Sequence, residues 1–147
     1  LMKLNANTDF LYRALIYEAL HPERWVTARE VAEAYKLSHN HISKVCQELI
    51  RCGFFNAQRG RGGGVQLARK PEDIHLGELL FLNEDKPKII DCEAGIGGAC
   101  RIAPACRLKG IFVQAQRAFL DVMNSYTLDE VISQPKLLLL FDLQSSK

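Results

Sequence analysis

The sequence predicts a mainly α-helical fold interrupted by one β-hairpin, and three observations carry that reading. Apolar residues recur at helical spacing along most of the chain. Capping residues stand at the head of several of these runs. A glycine-rich tract, Gly60-Arg61-Gly62-Gly63-Gly64, separates two short strand-like runs. With 147 residues, 48% hydrophobic and 24% charged, the chain has the composition of one ordinary globular core with room for an appendage.

The first helix follows Asn7-Thr8-Asp9, all capping types, and carries Leu11, Ala14, Leu15 and Ala19 with Phe10 and Tyr17 alongside, ending near His21-Pro22. Thr27-Ala28-Arg29-Glu30 spells a capping box for a short second helix whose apolar side is Val31, Ala32 and Tyr35. Lys36-Leu37-Ser38 is a turn. Ser38 heads a third helix with Ile42, Val45, Cys46 and Leu49 on its apolar side, and Gly53 ends it. Two short helices joined by about three residues make a helix-turn-helix. Phe54 to Ala57 and Val65 to Leu67 then form a hairpin with Arg59 and Arg61 at its tip, so the expected architecture is a winged helix-turn-helix over residues 2–83.

Beyond Pro71, Asp73 heads an expected helix through Ile74, Leu76, Leu79, Leu80 and Leu82 that gives out at Asn83 to Pro87. Residues 84–106 are read as a cysteine-bearing loop and residues 107–147 as a long dimerisation helix with a C-terminal tail. In that helix Leu108, Ile111, Phe112, Ala115, Phe119, Val122, Met123 and Tyr126 form one apolar stripe, expected to pack partly on the first helix and partly on a second copy. Thr127-Leu128-Asp129-Glu130 is a second capping box, Pro135 stops the short helix it opens, and Leu137 to Leu140 is a compact apolar tail.

A formal net charge of +2 is too small to indicate a nucleic-acid partner, so placement of the charges decides. The third helix presents His39, Asn40, Ser43, Lys44, Gln47 and Arg51 on one face, with Ser38 at its head and His41 at its edge. A major groove about 12 Å wide admits one helix and is read by such side chains. Arg59 and Arg61 supply a second, phosphate-directed position. Alone, either feature also reads as a solvated face or a tight turn. Their order along the chain points to double-stranded DNA, bound by a homodimer at palindromic half-sites about 34 Å apart.

No apolar run approaches the roughly 18 residues a membrane span needs, and no signal-peptide pattern is present, so a cytoplasmic protein without a membrane partner is expected. In that reducing compartment five cysteines suggest thiols, metal ligation or redox sensing. Cys46 reads as a small core residue and Cys52 as core or half-exposed. Cys92, Cys100 and Cys106 have the spacing C-x7-C-x5-C, too wide for the common zinc knuckles, and Gly95, Gly97 and Gly98 would let the loop fold around a bulky cluster. Three unligated thiols, two of them forming a reversible disulfide, are the other reading. No nucleotide-binding glycine motif follows a strand and no nucleophile-base set is recognisable, so no enzyme is expected.

Four stretches, "TDFLYRALIY", "SHNHISKV", "RGRGGGVQLARKP" and "CRIAPACRLKG", together resemble the NsrR and IscR group of bacterial winged-helix iron-sulfur regulators, over essentially the whole chain. The resemblance implies a homodimeric transcription regulator, usually a repressor. It also implies an iron-sulfur cluster, 4Fe-4S in preference to 2Fe-2S, that responds to nitric oxide and governs DNA affinity. By motif match Cys92, Cys100 and Cys106 take the places of three ligands, and Asp9 matches a carboxylate ligand supplied by the partner subunit; by itself Asp9 also reads as a helix cap. The IscR-type histidine three residues after the last cysteine is Lys109 here, and a protonated lysine cannot ligate, which favours the NsrR branch. The gap between Cys92 and Cys100 is longer than the family pattern. Arg13, one helical turn from Asp9, could pair with it or sit beside the anionic cluster. A hard oxygen ligand on a thiolate-held iron is the expected point of nitric oxide attack. The alternatives are an iron- or redox-responsive regulator of the same group and a small iron-sulfur electron carrier.

Overall fold

The computed structural model describes residues 4–82, 90–93 and 98–145. Helices α1 (Ala6–Ala19), α2 (Ala28–Tyr35) and α3 (His39–Arg51) precede strands β1 (Phe55–Gln58) and β2 (Gly64–Leu67). Three short 3-10 turns follow at Pro71–Asp73, Leu76–Phe81 and Ala103–Ala105, the last leading into α4 (Arg107–Asn124), α5 (Leu128–Ile132) and α6 (Lys136–Ser145). This is the mainly α, winged helix-turn-helix architecture that the sequence predicts.

The first two helices start on side-chain caps, and the third does not. Asn5, not one of the three residues after Ala6, caps α1, its side-chain oxygen accepting the Thr8 N–H at 2.8 Å. Thr27 caps α2 by accepting the Glu30 N–H at 3.1 Å, but the Glu30 carboxylate turns to Arg24 and Tyr17, so the reciprocal half of the capping box is not made. Ser38 occupies the N-cap of α3 with no side-chain bond. Lys36, at φ 54°, makes the left-handed turn between α2 and α3.

The core is one cluster. Leu11 and Leu15 of α1, Val31 of α2, and Ile42, Val45 and Leu49 of α3 meet Phe54, Phe55, Ile74, Leu79 and Leu128, all buried. On α3 the 3.6-residue period sends those apolar residues inward and leaves the opposite face to solvent.

The hairpin is antiparallel, with Phe55 opposite Leu67 and Gln58 opposite Gly64. Val26 lies along its other edge, exchanging bonds with Val65 at 3.0 and 2.7 Å, so β2 is held between β1 and the approach to α2. Two glycines are required by close approach of backbone. A Cβ on Gly63 would stand 2.1 Å from the Gln58 carbonyl oxygen, and one on Gly64 2.3 Å from that of Val26.

The helix expected from Asp73 is instead two 3-10 turns broken at Ile74 and His75. The local apolar pattern is helical, but the backbone groups an α-helix would use are spent elsewhere. Ile74 accepts the Leu128 N–H at 2.9 Å, Leu76 donates to Tyr126 at 3.0 Å, and the His75 N–H bonds the Glu78 carboxylate at 2.8 Å. The Leu137 to Leu140 tail forms part of α6, with Pro135 just ahead of it where a missing N–H costs least. Phe141 sets α6 against the helix-turn-helix, edge-on to Tyr17 at 5.2 Å and Tyr35 at 5.3 Å. The expected helix stop at Asn83 to Pro87, and Gly95 and Gly97, lie outside the described residues.

The helix α4 packs on the Leu76–Phe81 turn so closely that a Cβ on Gly77 would meet the Asn124 side chain at 2.0 Å. Leu108, Ile111, Val113 and Val122 are 44–58% exposed, an apolar surface left on one chain.

Candidate nucleic-acid interface and cysteine site

The exposed side of α3 gathers the residues read from the sequence. His39, Asn40, His41, Lys44, Gln47 and Arg51 are exposed and Ser43 is half-buried, its hydroxyl 3.4 Å from His39 Nε2. Ser38 stands exposed at the head of the helix. His41 leans toward α1, its ring 6.1 Å from that of Phe10. Arg59 and Arg61 are exposed at the hairpin tip on either side of Gly60, and Gly60 and Gly62 have φ angles of 94° and 75° that favour glycine. Donors, acceptors and cations thus cover the exposed side of a helix and a glycine-rich tip, which is chemistry suited to base edges and phosphates.

Sequence reading missed what fixes this surface. Arg24 and the Tyr17 hydroxyl both reach the Glu30 carboxylate, Tyr17 at 3.1 Å, tying α1 to the start of α2. Burial alone would raise the Glu30 carboxyl, but the bonds from Arg24 and Tyr17 outweigh it and hold it below its usual range. Tyr17 is raised by burial and by the Glu30 charge. A second missed residue is Glu18, 1% exposed, whose carboxyl burial pushes up to about 7. The sequence did hold a signal for it: Glu18 stands three and four residues after Leu15 and Ala14, on the buried stripe of α1.

The three loop cysteines occupy unlike settings. Cys92 is buried, Cys100 exposed and Cys106 half-buried at the N-cap of α4. Cys100 donates its N–H to the Cys92 carbonyl at 2.9 Å, and successive bonds from Ala103 to Cys100 (3.1 Å) and Cys106 to Ala103 (3.4 Å) turn the chain into α4. The Cys106 side chain does not cap the helix, and the first turn of α4 holds no acid but does hold Arg107 and Lys109. Open N–H groups and cations at a helix start favour thiolates and other anions. A cleft of about 320 Å³ lies between this segment and α4, lined by Ile90, Cys92, Lys109, Phe112 and Arg117.

Asp9, in the first turn of α1, is half-exposed and pairs with Arg13 at 2.8 Å; the Arg13 guanidinium also lies over the Tyr35 ring at 5.6 Å. Among the described residues no three His, Cys, Asp or Glu side chains gather closely enough to hold a metal ion, so one chain does not bring Asp9 and the cysteines together. The donor chemistry fits an iron-sulfur cluster all the same: thiols close in sequence, the backbones of two of them hydrogen-bonded, and the third at an electropositive helix start. Cys46 is buried in the core, where its thiol is pushed up to about 12, and Cys52 is half-buried at the end of α3.

The Rrf2 family, described as an iron-dependent transcriptional regulator, matches residues 4–134. The HTH-type transcriptional regulators NsrR of Shouchella clausii and Bacillus subtilis are 37% and 38% identical over 132 residues, covering 89% of this chain and 89% and 90% of theirs. Two solved structures share the fold. T. potens IscR has a TM-score of 0.69 at 21% identity, over 99% of this chain and 89% of its own. CymR, the global cysteine regulator of B. subtilis, has a TM-score of 0.68 at 19% identity, over 90% and 98%. The chain belongs to the Rrf2 family of transcriptional regulators.

Proposed function

We propose that this DNA-binding regulator is a homodimeric repressor whose hold on a palindromic operator is set by an iron-sulfur cluster that reports nitric oxide. The observation that carries the DNA half is the largely exposed polar side of α3 beside a hairpin with both arginines exposed at its tip. Ser38, His39, Asn40, His41, Ser43 and Gln47 face base edges. Lys44, Arg51, Arg59 and Arg61 bind phosphates. The division of labour is residues 2–83 for DNA, 84–106 for the cluster and 107–147 for dimerisation, where the exposed apolar residues of α4 form the seam between subunits.

Cys92, Cys100 and Cys106 would hold a 4Fe-4S cluster, with Asp9 contributed across the dimer. When bound, the cluster supplies iron with affinity for nitric oxide. The basic start of α4 compensates its negative charge, and Arg13 neutralises Asp9 whenever that carboxylate is not ligating. The similarity to regulators named NsrR supports nitric oxide as the signal.

Anaerobic purification with iron and sulfide analysis tests the ligand set. The expected result is stoichiometric iron and sulfide, lost in Cys92→Ala, Cys100→Ala and Cys106→Ala, with an altered absorption spectrum in Asp9→Ala. Full iron and sulfide retention in the cysteine variants contradicts it.

A further inference from the structure

Glu18 is a buried polar residue to which the DNA and cluster readings give no task. Its side chain is sealed in the seam between α1 and β2, and neither carboxyl oxygen has a hydrogen-bond partner of ordinary geometry. Buried polar groups left in this way are uncommon and point to a role.

The opposing group is backbone. Val65 turns its N–H and C=O away from β1 to bond Val26, and residues two apart on a strand point the same way, so the Leu67 N–H also faces that outer edge. It is the polar group that acts on the Glu18 carboxyl, pulling against the rise caused by burial. Charged groups give no relief. Glu23 bears on Glu18 as a like charge, Arg24 is engaged by Glu30, and Arg69, two residues beyond β2, by Glu78. On α3, Glu48 is bonded to Asn7 at the far end of α1, and β2 itself carries no charged residue.

The root of the hairpin therefore has two hydrogen-bonded attachments along one edge and a third that is a packed contact without a hydrogen bond, the Glu18 carboxyl against the Leu67 backbone. The Val26 ladder and the bond from Gln66 to the Pro22 carbonyl, 3.2 Å, do not titrate. The third does. We propose that Glu18 is a positioning residue for the wing: its carboxyl group seats the Leu67 end of β2 against α1 when protonated and loosens that seat when ionised. A neutral acid tolerates the dry seam. A carboxylate must draw water into it, because among the described residues no cation pairs with it, and the seam must open to admit that water. The hairpin carries Arg59 and Arg61, so its seating sets how well they meet phosphates. DNA affinity then falls as pH rises through neutrality, by at most ten-fold per pH unit for each subunit's wing, the ceiling for one linked proton.

The inference rests on the wing being a DNA contact. The test measures affinity for a palindromic duplex from pH 5.5 to 8.5 in the unaltered protein, Glu18→Gln, the Arg59→Ala/Arg61→Ala pair and the triple variant. Glutamine keeps the shape and removes the titration, and every other group is common to the proteins compared, so the ratio of affinities isolates Glu18. The expected result is that Glu18→Gln binds as the unaltered protein does below pH 6 and progressively tighter above pH 7, and that this advantage vanishes without the two arginines. A ratio that does not change with pH overturns the proposal, as does an advantage that persists without the arginines. If the arginine pair itself has no effect on affinity, the wing is not a DNA contact and the functional reading fails first. A nuclear magnetic resonance titration of the unaltered protein gives a check that needs no variant: the Leu67 amide should shift together with the Glu18 carboxyl carbon, and an amide that stays still between pH 6 and 8 refutes the seat.

Discussion

Replacing Glu18 by glutamine should change stability in a pH-dependent way whose size follows from burial. The folded carboxyl titrates at about 7 against an ordinary value of 4.5. A folded value raised above the unfolded one means that the native state holds the proton more tightly. The contribution is therefore fully favourable below pH 4.5 and is lost as pH rises through about 7. At about 1.4 kcal/mol per decade, the gap amounts to about 3 kcal/mol once both states are ionised. Glu18→Gln removes that loss. Urea unfolding at pH 5, 6, 7 and 8, at one protein concentration, should show the variant's stability relative to the unaltered protein rising by about 2–3 kcal/mol across the series. A constant difference at all four pH values would refute the argument, because a packing effect of the substitution does not depend on pH.

Gly63→Ala should cost about 1–3 kcal/mol because its Cβ would lie 2.1 Å from the Gln58 carbonyl oxygen, whereas Gly62→Ala, with open space but φ at 75°, should cost about 1 kcal/mol; urea unfolding ranks the two. Lys44→Ala or Arg61→Ala should weaken DNA binding and reduce the slope of log affinity against log salt by about 0.9 for each phosphate that is no longer neutralised, read by fluorescence anisotropy across a salt series. In metal-free protein, Cys100 should alkylate first and Cys46 last at pH 8, since one is exposed and the other is buried with its thiol raised to about 12; mass spectrometry of peptides follows both.

Local pattern makes the helix-turn-helix and wing legible, because α1, α2 and α3 have apolar stripes of the right period and the glycines of the hairpin tip exclude helix. Cys46 is legible as core for the same reason. Tertiary bonds are not. The region from Asp73 to Leu82 reads as helical until the backbone of residues 126–128 claims Ile74 and Leu76, and nothing near Asp73 in sequence announces that competition. A run of leucines at 137–140 has no period to read, so α6 passes as a tail. Glu30 looks like half of a capping box because its neighbours in sequence allow it, yet Tyr17 and Arg24 lie closer to its needs. The cysteine spacing is enough to propose a ligand set, while the differing exposure of Cys92, Cys100 and Cys106 depends on where α4 begins.

The most direct test of the account is the affinity of the anaerobically purified, cluster-loaded protein for a palindromic operator, measured by fluorescence anisotropy before and after stoichiometric nitric oxide. The account predicts tight binding that collapses toward the non-specific level, a loss of about 1000-fold or more. Operator affinity that is unchanged by nitric oxide, in protein whose iron and sulfide are shown to be intact beforehand, would contradict it.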